Sequence, residues 1–323
     1  KSSIMRQLGI TGTKSPEIFQ TNEENAIPEA FKLVNVNSAV IVGFGKEGNI
    51  TKTYLQKHYS KLTIDIADQK QGKDYLKKLV NFDIAIKTPG IPKELIPIPY
   101  TTATNIFFSQ IKGKYPIIGI TGSKGKSNTF LLVYSMLKAS GKNAVLVGNI
   151  GEPMLQALLL PIKKDTIFVL ELSSYQLEDL KTSPDISVVT NLFPEHVDHH
   201  GSLQKYYEAK KNIINFQTNS DFFVHDPKNA LVKKWLKNSL SQKIPFVSKL
   251  PLSEKEIPLL GAHNINNIKA AVTVARIIKI SDSAIKKGVK NFKSLPHRLE
   301  NIGTYKGITF YDDGSSTNPD SAI

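Results

Sequence analysis

The sequence has no cysteine. That excludes a disulfide scaffold, thiolate metal sites and a cysteine nucleophile. Arginine is scarce too, with Arg6, Arg276 and Arg298 the only three. The 42 Lys and Arg set against 28 Asp and Glu give a net charge of +14, so the excess is nearly all lysine. A basic balance suits anionic partners. These lysines, however, are scattered among asparagine and isoleucine, as the codon bias of an AT-rich genome also produces. The clustered basic and aromatic surface of a nucleic-acid binder is not evident, and no nucleic-acid partner is expected. No apolar run approaches the ~20 residues of a membrane span, and the opening KSSIMRQLGI lacks the apolar stretch of a secretory signal. The expectation is a cytoplasmic protein with no membrane partner. The first residue is Lys1 rather than Met, as in a piece that starts inside a longer gene product.

What is present is enough for two or three domains: 323 residues, 40% hydrophobic and 22% charged. Apolar runs of strand length recur at 38–44, 61–67, 82–88, 115–121, 143–149, 166–172, 186–192 and 221–226. Most are unbroken Val- and Ile-rich runs, as in parallel strands covered on both faces. Helical stretches fall between them, such as 127–140 and 203–216, and this βαβ alternation predicts doubly wound α/β units. Boundaries are expected near 93–114, where Pro97, Pro99 and Gly113 interrupt the pattern, and near 294–303. Residues 1–37 show no period, and their GITGTKS (9–15) is read as a chance echo of GITGSKGKS (119–127).

The strongest local signal is the run from Gly122 through Ser123, Lys124, Gly125, Lys126, Ser127 and Asn128, placed after a strand and before a helix. A glycine-rich turn at a helix start aims backbone N–H groups and the helix dipole at phosphate oxygens. Lys126 would reach the terminal phosphates and Ser127 would ligate Mg²⁺. The strict GxxxxGK[ST] pattern fails at one position, where Ile120 replaces the first glycine. Glu171 ends the strand TIFVL, at the sheet edge where ligands bind, and a carboxylate there can hold Mg²⁺ or be a plain surface acid. His196 and Asp198 follow the strand ISVVTNL. His196 with His199 and His200 could suggest zinc, but no recognisable zinc spacing is completed.

Two further patterns leave alternatives open. Gly43, Gly45 and Gly48 spell GxGxxG after a strand, with Asp65 and Asp68 about 20 residues on. This fits a dinucleotide, another nucleotide-type ligand, or an empty tight turn. Asn264 and Asn267 share one face at the start of an amphipathic helix. They could read a base edge, but helix capping, which asparagine does well, is the preferred reading.

Taken together, these residues resemble the Mur ligase family of ATP-dependent amide-bond ligases. The ordered matches are GITGSKGKSNT (119–129), VGNIG (147–151), ELSSYQLE (171–178), NLFPEHVDH (191–199), YYEAKKNI (206–213), GAHNINNIKAA (261–271), LPHRLE (295–300) and YDDGSSTN (311–318). ELSSYQLE is similar to the branch that adds D-glutamate. The resemblance implies a Rossmann-like domain over 38–108 that binds the UDP substrate, a central P-loop-type ATPase domain with a mostly parallel sheet over 109–300, and the start of a truncated C-terminal domain over 301–323.

It also implies roles. Lys126 and Ser127 would serve ATP and the first of two Mg²⁺ ions, with Glu171 on magnesium and His196 on the second ion. Lys210 would carry a carbamate. Asn264 and Asn267 would face the nucleotide, which displaces the capping reading. Arg298 and Asp313 would close over ATP. Gly43, Gly45, Lys46, Glu47, Asp68, Thr88 and Asn149 would hold UDP-N-acetylmuramoyl-L-alanine. The implied reaction phosphorylates that substrate's carboxylate and then transfers the acyl group to D-glutamate, in peptidoglycan precursor synthesis, by a monomeric enzyme. Ser315 stands near where the family often has lysine. Since the family's third domain supplies most of the D-glutamate site, the chain ending at Ile323 is expected to be incomplete for ligation. The alternatives are another Mur-type or folylpolyglutamate-type ligase, or a non-catalytic nucleotide-binding fragment.

Overall fold

The runs of Val, Ile and Ala become strands because both their faces are covered. Ser38–Val42 (β1) is buried at every position after its first residue. Lys46–His58 (α1) then crosses over to Thr63–Ala67 (β2), and Ile84–Lys87 (β3) and Tyr100–Thr102 (β4) follow. These four strands form one parallel sheet in the order β2-β1-β3-β4. The reversal of direction beside β1 opens a crevice at the carboxyl ends of β1 and β3, where such sheets bind ligands. The structure is a computed structural model and describes residues 36–259, 261–292 and 300–314. The unassigned segment 1–37 falls almost wholly outside the described residues, as does Arg298.

Ala103–Ile111 (α2) follows β4 and leads to a second, six-stranded parallel sheet. Its strands are Ile117–Thr121 (β5), Ala144–Gly148 (β6), Ile167–Glu171 (β7), Ile186–Val189 (β8), Phe222–His225 (β9) and Gln242–Pro245 (β10), in the order β10-β9-β8-β5-β7-β6. Lys126–Ala139 (α3) links β5 to β6. The short helices Met154–Ala157 (α4), Ser174–Leu177 (α5) and Val197–His200 (α6) sit beyond the strand ends, and Leu203–Asn215 (α7), Ala230–Leu236 (α8), Ala262–Ile277 (α9) and Asp282–Lys290 (α10) complete the layers. On one face, Ile118, Ile120 and Val169 pack against α3, α9 and α10 through Met136, Ile268, Val272 and Ile285. On the other, Phe168 and Leu170 meet Phe107 of α2 and Ile213 of α7. Alternate residues of a strand therefore serve opposite cores, as expected of strands covered on both sides.

All eight expected strands are present. Two further strands of these two sheets were not expected. β4 has only three residues and follows a proline-rich stretch that reads as a boundary. β10 (QKIP) alternates in exposure and lies at the sheet edge, where a terminal proline is tolerated. β4 joins the first sheet, and α2 runs continuously across the expected 108/109 boundary.

The core on the α2 side is shared by both sheets, with Ile41, Ile84 and Leu55 from the first and Leu170 and Val189 from the second. A buried ion pair joins them as well. Lys87 Nζ lies 2.8 Å from Asp179 Oδ2, with side chains 0% and 4% exposed, as an ion pair rather than a well-directed hydrogen bond. Tyr100 donates its hydroxyl to the other Asp179 oxygen at 2.8 Å, and the Asn105 amide donates to the Asp179 carbonyl. Removing one partner of such a pair costs roughly 3–5 kcal/mol, because the other charge stays buried. Glu300–Tyr305 (β11) and Ile308–Asp312 (β12) form a separate antiparallel hairpin, and Asp313 lies just past it. Among the described residues no helix is long and apolar enough to cross a membrane.

Candidate nucleotide and substrate site

The loop from β5 to α3 is held in place by β8's continuation. Asn191 accepts the Ser123 amide on its carbonyl at 2.9 Å and the Lys124 amide on its side chain at 2.8 Å. Thr190 and Asn191 both donate to the Lys124 carbonyl. Ser123 Oγ bonds the Phe193 carbonyl and Tyr206, and the Lys124 ammonium pairs with Glu195 at 2.9 Å. Ser123 and Lys124 thus build the loop. Gly125 caps α3 in the left-handed region (φ 78°), where a Cβ would collide with the Asn267 side chain. The amino end of α3, with Lys126, Ser127 and Asn128, is an arrangement that could receive a phosphate.

Lys126 and Lys210 converge on one oxygen. Lys126 Nζ donates to the carbonyls of Gly122 (2.9 Å) and Ser123 (2.8 Å), and Lys210 Nζ reaches the same Gly122 carbonyl at 2.8 Å. Lys210 comes from α7, is 2% exposed, and lies over the Tyr206 ring. Burial pushes its amine well below the ordinary lysine range, and the neighbouring Lys126 charge adds to this, against the pull of Glu195 and Glu171.

Glu171 ends β7 beside this loop and is 1% exposed. One carboxylate oxygen accepts the Asn149 amide at 3.0 Å, and the other, Oε2, is buried without a hydrogen-bond partner among the described residues. An orphaned carboxylate oxygen in such a place fits a hard cation, and Ser127 and His196 supply further donors. His196 holds a left-handed backbone (φ 51°), uncommon outside glycine, and its Nδ1 is 3.2 Å from the Tyr175 hydroxyl. Burial lowers the His196 pKa, opposed by Glu195 and reinforced by Lys210 and Lys126.

Asn264 and Asn267 correct the capping reading. The N-cap of α9 is Gly261, and no side chain caps it. Both asparagines are buried instead, with Asn264 Oδ1 accepting from Asn128 (2.9 Å) and Asn267 (3.1 Å). They dock α9 onto the first turn of α3.

A cleft of about 350 Å³ lies between the two sheets. Lys46 and Glu47 line it from the first sheet, and Asn149, Tyr175 and Gln176 from the second. The remaining residues expected there shape the loop behind it. Asp68 accepts the Phe44 amide at 2.6 Å and the Lys70 amide at 3.0 Å, which hold its carboxyl below the usual range. Thr88 donates to the Val42 carbonyl and closes on Gly43, whose φ of 86° leaves no room for a Cβ. Gly45 is the N-cap of α1. Asp313 lies just past the separate hairpin. Sequence reasoning missed Tyr175, Asn191, Glu195 and Tyr206, whose partners are all distant in the chain.

Glu47 gives the cleft a pH dependence. Its Oε1 is buried and unpartnered, and burial pushes the carboxyl up to about 7 against the opposing Lys87 charge. The folded protein therefore keeps a proton that the unfolded chain releases from about pH 4.5 upward. The resulting stability is lost as pH rises through about 7. Melting curves should show the wild type losing stability relative to Glu47→Gln across that window. Parallel curves would mean that Glu47 titrates normally.

The Mur ligase middle domain matches residues 120–255. The UDP-N-acetylmuramoylalanine--D-glutamate ligase of Streptococcus agalactiae serotype Ia is 35% identical over 263 residues, covering 74% of this chain and 58% of the relative. The chain thus spans less than two thirds of that relative's length. Among solved structures, the UDP-N-acetylmuramate:L-alanyl-gamma-D-glutamyl-meso-diaminopimelate ligase of Neisseria meningitides aligns with a TM-score of 0.57 at 14% identity, over 80% of this chain and 99% of that one. MurF from Acinetobacter baumannii gives 0.55 at 19% identity, over 77% and 63%. At such identities the two structures speak for the fold alone. The domain match and the identity to the streptococcal ligase together carry the conclusion that residues 120–255 of this chain are a Mur ligase middle domain.

Proposed function

We propose that this chain provides the nucleotide- and UDP-substrate-binding part of an ATP-dependent ligase that joins D-glutamate to UDP-N-acetylmuramoyl-L-alanine. The observation that carries this reading is the meeting of Lys126, Lys210 and the half-unpaired Glu171 at the amino end of α3, with Asn149 linking Glu171 to the inter-sheet cleft. The 35% identity to a relative named as a D-glutamate ligase supports the amino acid.

The chemistry follows from the charges. The substrate carboxylate attacks the γ-phosphorus of ATP, the bond to ADP breaks, and an acyl phosphate forms. The amine of D-glutamate then adds to that carbonyl, loses a proton, and expels phosphate. Like charges repel when the carboxylate approaches ATP, and Lys126 offsets that repulsion at the phosphate. Two Mg²⁺ ions, one held by Ser127 and Glu171 and the second by His196, would neutralise phosphate charge. An ammonium on Lys210 would oppose such a cation. Its depressed pKa instead favours the neutral amine, which adds to CO₂ and releases a proton to give an anionic carbamate. Asn149 orients Glu171 while facing the cleft, and Tyr175 holds His196.

Phosphate release from the intact gene product tests the reading. It should require ATP, UDP-N-acetylmuramoyl-L-alanine and D-glutamate together. Equal release with L-alanine or a diamino acid in place of D-glutamate would overturn the proposed specificity.

A further inference from the structure

We propose that Glu178, His199 and His200 form a second cation site, which takes a zinc-type transition metal rather than magnesium. Glu178 directly follows α5, and the two histidines close α6. The Glu178 oxygens lie 3.6 Å from His199 Nε2 and 3.7 Å from His200 Nδ1. One donor atom from each of the three residues falls within 4.8 Å of the others. Donors bound at ~2.0–2.1 Å around a tetrahedral metal stand ~3.4 Å apart. The two carboxylate–imidazole spacings, which end on different Glu178 oxygens, are close to that value, and small rotations of Glu178 and the part-exposed His199 would bring the three donors to one ion.

His200 is the second, independent observation. Its side chain is wholly buried, and neither ring nitrogen has a hydrogen-bond partner among the described residues. A buried imidazole left without a partner is costly, and a cation shared with Glu178 would satisfy Nδ1, one of its two nitrogens. The donor set selects the ion. Two imidazoles and one carboxylate suit Zn²⁺ or Co²⁺ with a fourth position open, whereas Mg²⁺ prefers oxygens throughout. Lys93 Nζ, 3.8 Å from Glu178 and partly exposed, is the cation such a metal would displace.

The site is separate from the one proposed for magnesium. His196 turns to Tyr175, while His199 and His200 turn to Glu178. Tyr175 lines the cleft, and its ring centroid lies 4.2 Å from that of His199 at a tilt of 55°. A metal at Glu178 would pin α6, and His196 with it, to α5.

Cobalt(II) is the probe, titrated into the tag-free chain with Mg²⁺ in excess to fill the oxygen-rich site. One equivalent should bind with the visible absorption of nitrogen-ligated Co²⁺, and Zn²⁺ should displace it. Affinity should fall by at least about 10–100-fold in Glu178→Gln and in His199→Asn, and stay at the wild-type value in Glu171→Gln. Melting curves show which variants fold, and His199→Asn, changing a part-exposed side chain, keeps the test valid should Glu178→Gln fail to fold. The proposal is overturned by no Co²⁺ band, by unchanged affinity in the folded variants, or by binding lost in Glu171→Gln.

Discussion

ATP affinity should fall at least ~100-fold when Lys126 is replaced by alanine, with the fold intact. The loop's shape does not depend on this side chain. It rests on Asn191, Thr190, the Ser123–Phe193 contacts and the left-handed Gly125. Nucleotide would exchange the lysine's two carbonyl bonds, at 2.9 and 2.8 Å, for charged phosphate oxygens. A hydrogen bond to a charged group contributes ~1.5–3 kcal/mol, so two of them account for a change of this size. Calorimetry with a non-hydrolysable ATP analogue reads it, and unchanged affinity would remove Lys126 from the site. Lys126 also helps depress the Lys210 pKa. The same variant should therefore raise that pKa and reduce carbamate formation at neutral pH.

Lys210→Ala should lower ligation by the intact enzyme at least ~100-fold, the scale of losing one preorganised charge-stabilising group. A lysine that merely braced the loop through the Gly122 carbonyl could not be replaced by a diffusing anion. A carbamate could, so acetate or formate should restore part of the rate in Lys210→Ala. Full activity of the variant, or loss that no carboxylate restores, would defeat the carbamate reading.

The parallel strands were legible because burial on both faces leaves unbroken Val and Ile runs, as in β1 and β7. The glycine-rich turn into α3 was legible because Gly122, Lys124, Gly125 and Lys126 fall within five successive residues. β4 and β10 escaped, one for its brevity and one for its edge position. The readings that needed partners far along the chain also escaped. Lys124 and Glu195 are 71 positions apart, and nothing local marks them as a pair. Asn264 looked like a cap because asparagine caps well, but tertiary packing placed it against Asn128. Glu178 completes the histidine cluster from 21 positions before His199, which no zinc spacing encodes.

The Lys87–Asp179 pair and its neighbours bear on how the chain folds as it leaves the ribosome. Tyr100 finds its partner 79 residues later, and Asn105 finds its own 74 later. At synthesis rates of 5–20 residues per second, that is a wait of about 4–16 s. Through that interval Lys87 lacks Asp179, and Phe107 waits 61 residues for the Phe168 it packs against edge-on. The first sheet therefore emerges with its α2 face uncovered, and it closes only when the β7–α5 segment arrives. Until then that face is exposed apolar surface on the nascent chain, of the kind chaperones bind.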